Sequence, residues 1–199
     1  MTWTATERYR LEPAPGGLGL VQDLLNTVAA GAPARPDLLA DEPRAADAQA
    51  WADEAGAAWA AATGRPAPHV ALDAGAVGEL RAFRESLHEA LAQAARGEDA
   101  DPPPVPERSA EVALKLGEDG VVRLESRGTG WRHLVALVLA ELYEGQRADT
   151  ARRLKTCRNP LCRVAFYDRS RNNSGVWHDV KKCGNAANLR AYRARQRER

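Results

Sequence analysis

Cys157-Arg-Asn-Pro-Leu-Cys162, then fifteen residues, then His178-Asp-Val-Lys-Lys-Cys183: this C-x4-C…H-x4-C spacing decides how the C-terminal quarter of the chain is built. All three cysteines of the 199-residue sequence fall inside it, so chance clustering is a poor account. Two short two-ligand turns of equal length suit one tetrahedral ion, and structural zinc takes four N/S ligands in such pairs. The spacing therefore predicts Zn2+ held by Cys157, Cys162, His178 and Cys183. The alternatives are buried inert thiols, or one disulfide with a thiol left over. The odd cysteine count and the absence of a secretory context argue against the disulfide.

Charge divides the chain at the same place. The whole sequence is nearly neutral, with 28 Lys+Arg against 27 Asp+Glu. From Ala151 to Arg199, however, 14 basic residues face only Asp168, Asp179 and Glu198, a net +11. The first 150 residues hold the remaining 14 basic and 24 acidic side chains, a net −10. Such asymmetry points to a polyanionic partner for the basic part, or to docking of that part on the acidic body. Arginine outnumbers lysine 24 to 4, and part of that excess is discounted as the codon bias of a GC-rich genome.

The length suits one medium domain, residues 1–150, with a small appendage at 151–199. An apolar content of 44% is ample for one core. No apolar run approaches a membrane span, and Met1-Thr-Trp-Thr-Ala-Thr-Glu7 lacks a signal pattern, so a cytoplasmic protein without a membrane partner is expected.

Along the body, Leu18, Leu20, Val21, Leu24, Leu25 and Val28 recur at helical spacing, with Gly31 and Pro33 as the stop. Asn26-Thr27 lies within that helix, facing solvent or buried and bonded to a neighbouring loop. Asp41-Glu-Pro43 starts an Ala-rich helix through Trp51 and Trp59 to Gly64. Asp73 caps a third helix that runs to Ala95 and leads into an acidic, proline-rich loop from Gly97 to Pro106. Val112, Leu114 and Leu116 alternate, Gly117-Glu-Asp-Gly120 turns, and Val122 and Leu124 alternate again, which is a hairpin. A last body helix spans Trp131 to Gln146. The fold class is therefore α+β: a mostly helical body with one small hairpin, then a zinc module ending in a basic helix.

In that module Arg163-Val-Ala-Phe-Tyr167 is a strand, and Asp168 to Gly175 a loop exposing Arg169 and Arg171. Gly184 is expected in a left-handed turn and Asn185 as N-cap of a helix to Arg197. On it Arg190, Arg193 and Arg197 share one face and Arg195 lies on the next.

At these residues the sequence resembles the CGNR zinc-finger family. The matching pieces are Cys157…Cys162, Phe166-Tyr167-Asp168, Trp177-His178, Cys183-Gly184-Asn185 and Arg190-Ala-Tyr192-Arg193. The body is similar to the ABATE domain that precedes this finger, with Leu24-Leu25-Asn26-Thr27 at its early Asn-Thr motif. The resemblance implies a bacterial stress-induced transcription regulator, with nucleic-acid binding proposed for the finger. Two positions depart from the pattern. His178 stands where the family has cysteine, which makes Cys3His and easier metal loss in mild acid. Ala186 stands where the signature ends in arginine, which removes one contact if that arginine touches nucleic acid elsewhere in the family.

The leading expectation is a zinc-binding regulator whose basic module binds nucleic acid, DNA in preference to RNA, because one regular basic helix suits a groove. The expected contacts are Arg190, Arg193, Arg195 and Arg197, with Lys181, Lys182, Arg169 and Arg171 in support. The body would sense a small-molecule effector or form a homodimer. The alternative is a small-molecule or protein-binding protein in which the finger is a staple, with Asn26, Thr27, His133 and the tryptophans near a pocket. No phosphate-cradling glycine loop or nucleophile motif is present, and four-ligand zinc leaves no open position, so no enzyme activity is expected.

Overall fold

The computed structural model describes residues 2–31, 34–40, 45–94 and 104–197. The expected stop at Pro33, the start at Asp41-Glu-Pro43, the helix end at Ala95, the loop up to Pro103 and Arg199 lie outside these residues. The described elements are α1 (Thr4–Glu7), α2 (Leu18–Leu25), α3 (Ala45–Thr63), α4 (Ala74–Ala94), β1 (Val112–Leu116), β2 (Val122–Ser126), α5 (Gly130–Arg147), β3 (Leu154–Thr156), β4 (Ala165–Tyr167) and α6 (Asn185–Arg197). The two antiparallel pairs, β1–β2 and β3–β4, form separate two-stranded sheets. No described helix is long and apolar enough to cross a membrane.

The body is four helices packed around α2, whose every residue is buried. Leu20, Leu24 and Leu25 meet Trp51 and Trp59 of α3, Leu80 and Phe83 of α4, and Leu134 and Val138 of α5. Asp73 caps α4 as its sequence position predicts, accepting from the Ala76 N–H at 2.7 Å. α2 ends at Leu25 instead of continuing to Val28, because Asn26 leaves helical geometry and Thr27 Oγ1 donates back to the Leu24 carbonyl at 2.7 Å. Helix α1 and strand β3 carry too few residues to show a period, and both were invisible to pattern reading.

Buried polar groups are paired within this core. The two carboxylate oxygens of Asp23 accept from the Thr6 N–H at 2.7 Å and from Trp51 Nε1 at 2.9 Å. Trp59 Nε1 donates to Glu141 at 2.9 Å. The tryptophans thus spend their polar ends inside the core. Arg84, only 1% exposed, pairs with Asp37 at 2.7 Å and donates to Thr27 Oγ1 at 3.0 Å.

His88 on α4 is buried, with Nε2 2.9 Å from the Leu25 carbonyl, which makes Nε2 the protonated nitrogen of a neutral ring. Burial lowers its pKa to about 4, while burial raises that of Asp23 to about 6. The signs oppose each other. A depressed histidine contributes stability above its unfolded value that is lost as pH falls from about 6.5 to 4. A raised aspartate penalises the fold as pH rises from about 4 to 6. His88→Gln removes only the first effect. Its destabilisation relative to the parent at pH 7 should therefore shrink by about 2–3 kcal/mol at pH 4.5, as read from urea melts at both pH values.

Candidate metal centre and its basic helix

The strand β3 leaves the body through Ala151–Arg153, a single 3-10 turn, and pairs with β4 in the register Leu154↔Tyr167, Lys155↔Phe166, Thr156↔Ala165. The connection between these strands is the first ligand turn, closed by Cys157 N–H to the Val164 carbonyl at 2.8 Å and Cys162 N–H to the Asn159 carbonyl at 2.8 Å. The second ligand turn is a π-helical turn, Val180–Gly184, that runs straight into α6. Its cap is Asp179, which accepts from the Lys182 N–H at 3.0 Å. Asn185, expected as N-cap, is the first helical residue, because the π turn before it already supplies the carbonyls that a cap would replace. Gly184 is likewise not left-handed. A Cβ there would stand 3.2 Å from the Trp177 ring, so the glycine serves close packing.

Cys157, Cys162, His178 and Cys183 bring their ligand atoms within 4.8 Å of one another. His178 Nδ1 faces the sulfurs, 3.2 Å from Cys162 Sγ and 3.6 Å from Cys183 Sγ. Ligand atoms on a tetrahedron of zinc bonds lie roughly 3.3–3.8 Å apart, so the four residues fit a shared zinc ion. Without a cation the three thiols do not share one ionisation state. The hydrogen bond shared with Cys157, and then burial, push the Cys162 thiol above the usual range. Burial raises Cys183, and Cys157 alone is pulled down, by the bond from Cys162. As zinc ligands all three would be thiolates, a charge that one buried cluster holds only together with a cation. Zinc supplies that charge and a cross-link, and its four-ligand shell is structural in kind.

Asn159 is the residue that the sequence did not single out. It is buried, and its Nδ2 donates to Cys183 Sγ at 3.4 Å. Its Oδ1 accepts from the Leu161 N–H at 3.3 Å and from Arg190 Nη2 at 2.8 Å. One amide therefore joins the first ligand turn, a sulfur of the second and the basic helix. Asp168 organises the adjoining loop: it pairs with Lys155 Nζ at 2.7 Å and accepts from the Ser170 and Gly175 N–H groups at 2.9 and 2.6 Å. Burial opposes its ionisation, but these donors outweigh burial and hold its carboxyl well below the usual range.

The module has no separate core. Leu154 and Ala165 sit in the main core of the body. The ligand cysteines share a second cluster with Val164 and with Val28 and Ala30, which follow α2. Asn26 makes the central tie. Its Nδ2 donates to the Ala165 carbonyl and its Oδ1 accepts from the Ala165 N–H, both at 2.9 Å, so the side chain pairs with β4 as a strand would. Asn26 and Thr27 are fully buried in this seam. A groove of about 930 Å3 opens beside it between α4 and the first ligand turn, but neither residue lines it, nor does His133. His133 instead meets Ser126 of β2 at 2.9 Å.

The expected basic contacts divide into two groups. Arg190 is drawn onto Asn159, and Arg169 is held by the Pro13 carbonyl at 2.8 Å, Glu12 at 2.9 Å and the Tyr167 ring. Both are among the expected nucleic-acid contacts; both are exposed and already donate to a local acceptor. Lys181, Lys182, Arg171, Arg193, Arg195 and Arg197 are exposed and have no carboxylate partner among the described residues.

Asn26→Ala should cost about 2–4 kcal/mol, because it leaves both backbone groups of Ala165 buried and unpaired; chemical denaturation with intrinsic tryptophan fluorescence checks this. Protein purified without added metal should carry about one zinc per chain by elemental analysis. Cys183→Ser should lose the metal and also lower the melting temperature of the body, since β3 and β4 share its core. Asn159→Ala should keep the zinc but weaken it roughly 10–100-fold in a chelator competition.

A search of curated proteins finds no relative that matches. Residues 153–196 match the family model of the CGNR zinc finger, so the module built on Cys157, Cys162, His178 and Cys183 is similar to that finger across β3, both ligand turns and almost all of α6.

Proposed function

We propose that the chain is a non-enzymatic transcription regulator with an ABATE-type body, which binds nucleic acid, DNA in preference to RNA, through α6 and the turn before it. The observation that carries this reading is the exposure of α6. Among the described residues its arginines Arg193, Arg195 and Arg197 are exposed and pair with no acid of the body. The acidic body engages Arg163, just before β4, through Glu85 and Arg169, in the loop after it, through Glu12, and leaves the helix free. A regular helix with Lys181 and Lys182 at its start offers phosphate contacts along a groove. Arg190, tied to Asn159, sets the angle of that helix instead of contacting phosphate. Three thiols reserved for zinc suit the reducing cytoplasm.

One observation favours an added ligand. The groove between α4 and the first ligand turn has Ala82, His88 and Glu89 on one side and Arg158 and Pro160 on the other. A small effector bound there would touch the body and the metal turn together, which couples sensing to the position of α6.

Fluorescence anisotropy with labelled duplex DNA and with RNA, over a salt series, tests the reading. About five neutralised phosphates give a slope of log K against log salt of about −4 to −5. The Arg193→Ala, Arg195→Ala double variant should make that slope shallower by about two. Absence of binding to either nucleic acid at low salt would leave the finger as a structural staple.

A further inference from the structure

The hairpin β1–β2 carries an apolar face that the rest of the described chain leaves open. Val112, Leu114, Leu116 and Val122 are 45, 74, 69 and 58% exposed, and all lie on one face with Leu124. A two-stranded ribbon with such a face is marginal in water and becomes stable when further strands or a helix join it. Helix α5 meets the base of the hairpin, where His133 Nε2 lies 2.9 Å from Ser126 Oγ. Both outer edges lack a neighbouring strand among the described residues.

The backbone of β2 is in phase to receive a strand. Gly117 N–H bonds the Val121 carbonyl and Arg127 N–H bonds the Glu111 carbonyl, at 2.9 and 3.0 Å. Antiparallel alternation then turns the N–H and C=O groups of Arg123 and Glu125 inward, toward Lys115 and Ala113. Those of Val122, Leu124 and Ser126 point to the open edge. A second β2 running antiparallel, centred on Leu124, would exchange both hydrogen bonds at Leu124 and place Val122 opposite Ser126.

The charges select the same register. Within the hairpin Arg123 stands directly across from Lys115, a like-charge pair that a sheet disfavours. Asp119 relieves Arg123 from the turn, and Glu125 lies 3.4 Å from both Lys115 and Arg127 within the same hairpin, so its pairing with a second copy is an exchange of partners. In the two-fold register the second copy's Glu125 lies directly across from Arg123, and the reverse pair forms at the other end. Leu124 meets its own copy between them. The exposed tip of each hairpin also comes beside the base of the other, where α5 crosses.

We propose that the chain forms a homodimer by antiparallel pairing of β2 with β2 of a second copy, giving one four-stranded sheet. The pairing does not rest on the nucleic-acid reading, since the hairpin and α6 are separate surfaces. It would nonetheless present two basic helices from one particle.

Sedimentation velocity of the full zinc-loaded chain over a micromolar concentration series tests this, with circular dichroism to confirm folding. The expected result is a monomer–dimer equilibrium in the parent. Arg123→Glu alone and Glu125→Arg alone should each raise the dissociation constant about 10–100-fold, because each places two like-charge pairs across the two-fold axis. The double exchange R123E/E125R should restore dimerisation to near the parent value. A parent that stays monomeric throughout overturns the proposal, with the edge charges then acting to block pairing. A dimer indifferent to both single exchanges, or one weakened by them and not rescued by the double exchange, overturns it equally.

Discussion

A segment of 49 residues from Ala151 to Arg199, fourteen of them basic, cannot bury a core of its own, and the architecture follows from that constraint. Two devices meet it. Four ligands gather around one metal position, and the neighbouring apolar side chains are lent by the body: Val28 and Ala30 to the ligand cluster, and the main core to Leu154 and Ala165. The Asn26 amide closes the seam by taking both backbone groups of Ala165 in a fully buried site. A backbone pair left open there would be costly, which is why a polar residue sits among leucines.

That seam shapes how the parts can act on one another. Helix α2 holds Asn26 and Gln22 toward β4, while Arg84 of α4 reaches Thr27 next to Asn26. From β4 the connection passes through the ligand turns to Asn159, and from Asn159 to Arg190 of α6. Every step is a packed or hydrogen-bonded contact. The basic helix is therefore exposed on its sides but anchored at its root, an arrangement suited to presenting charge at a fixed angle. Among the described residues the body's acids pair with the module at Arg163 and Arg169, so part of the charge asymmetry is spent in docking.

Much of this was legible in the sequence. Ligand spacing alone named Cys157, Cys162, His178 and Cys183, because a metal demands residue types that chance rarely supplies together. Helical periodicity located α3, α4 and α5, and alternation around Gly117–Gly120 located the hairpin. These features are local or chemically rare, so one dimension suffices to see them. The burial of Asn26 and Thr27 was open in the sequence, where both a solvent-facing and a buried placement were admissible.

Tertiary structure decided what depends on distant partners. Asn26 and Ala165 are 139 positions apart, and no periodicity relates them. Asn159 looks like an ordinary turn residue until the second ligand turn and α6 close over it. Arg190 and Arg169 belong to the same basic pattern as Arg193 and Arg195, yet among the described residues folding places acceptors beside the first two and none beside the others. Gly184 shows the same limit, since its reason is the Trp177 ring and not its own backbone freedom. The sequence by itself determined which ion the module is built to hold and where charge accumulates. Only the fold determined which of those charges are already used, because a hydrogen bond is settled by angstroms between atoms and not by spacing along the chain.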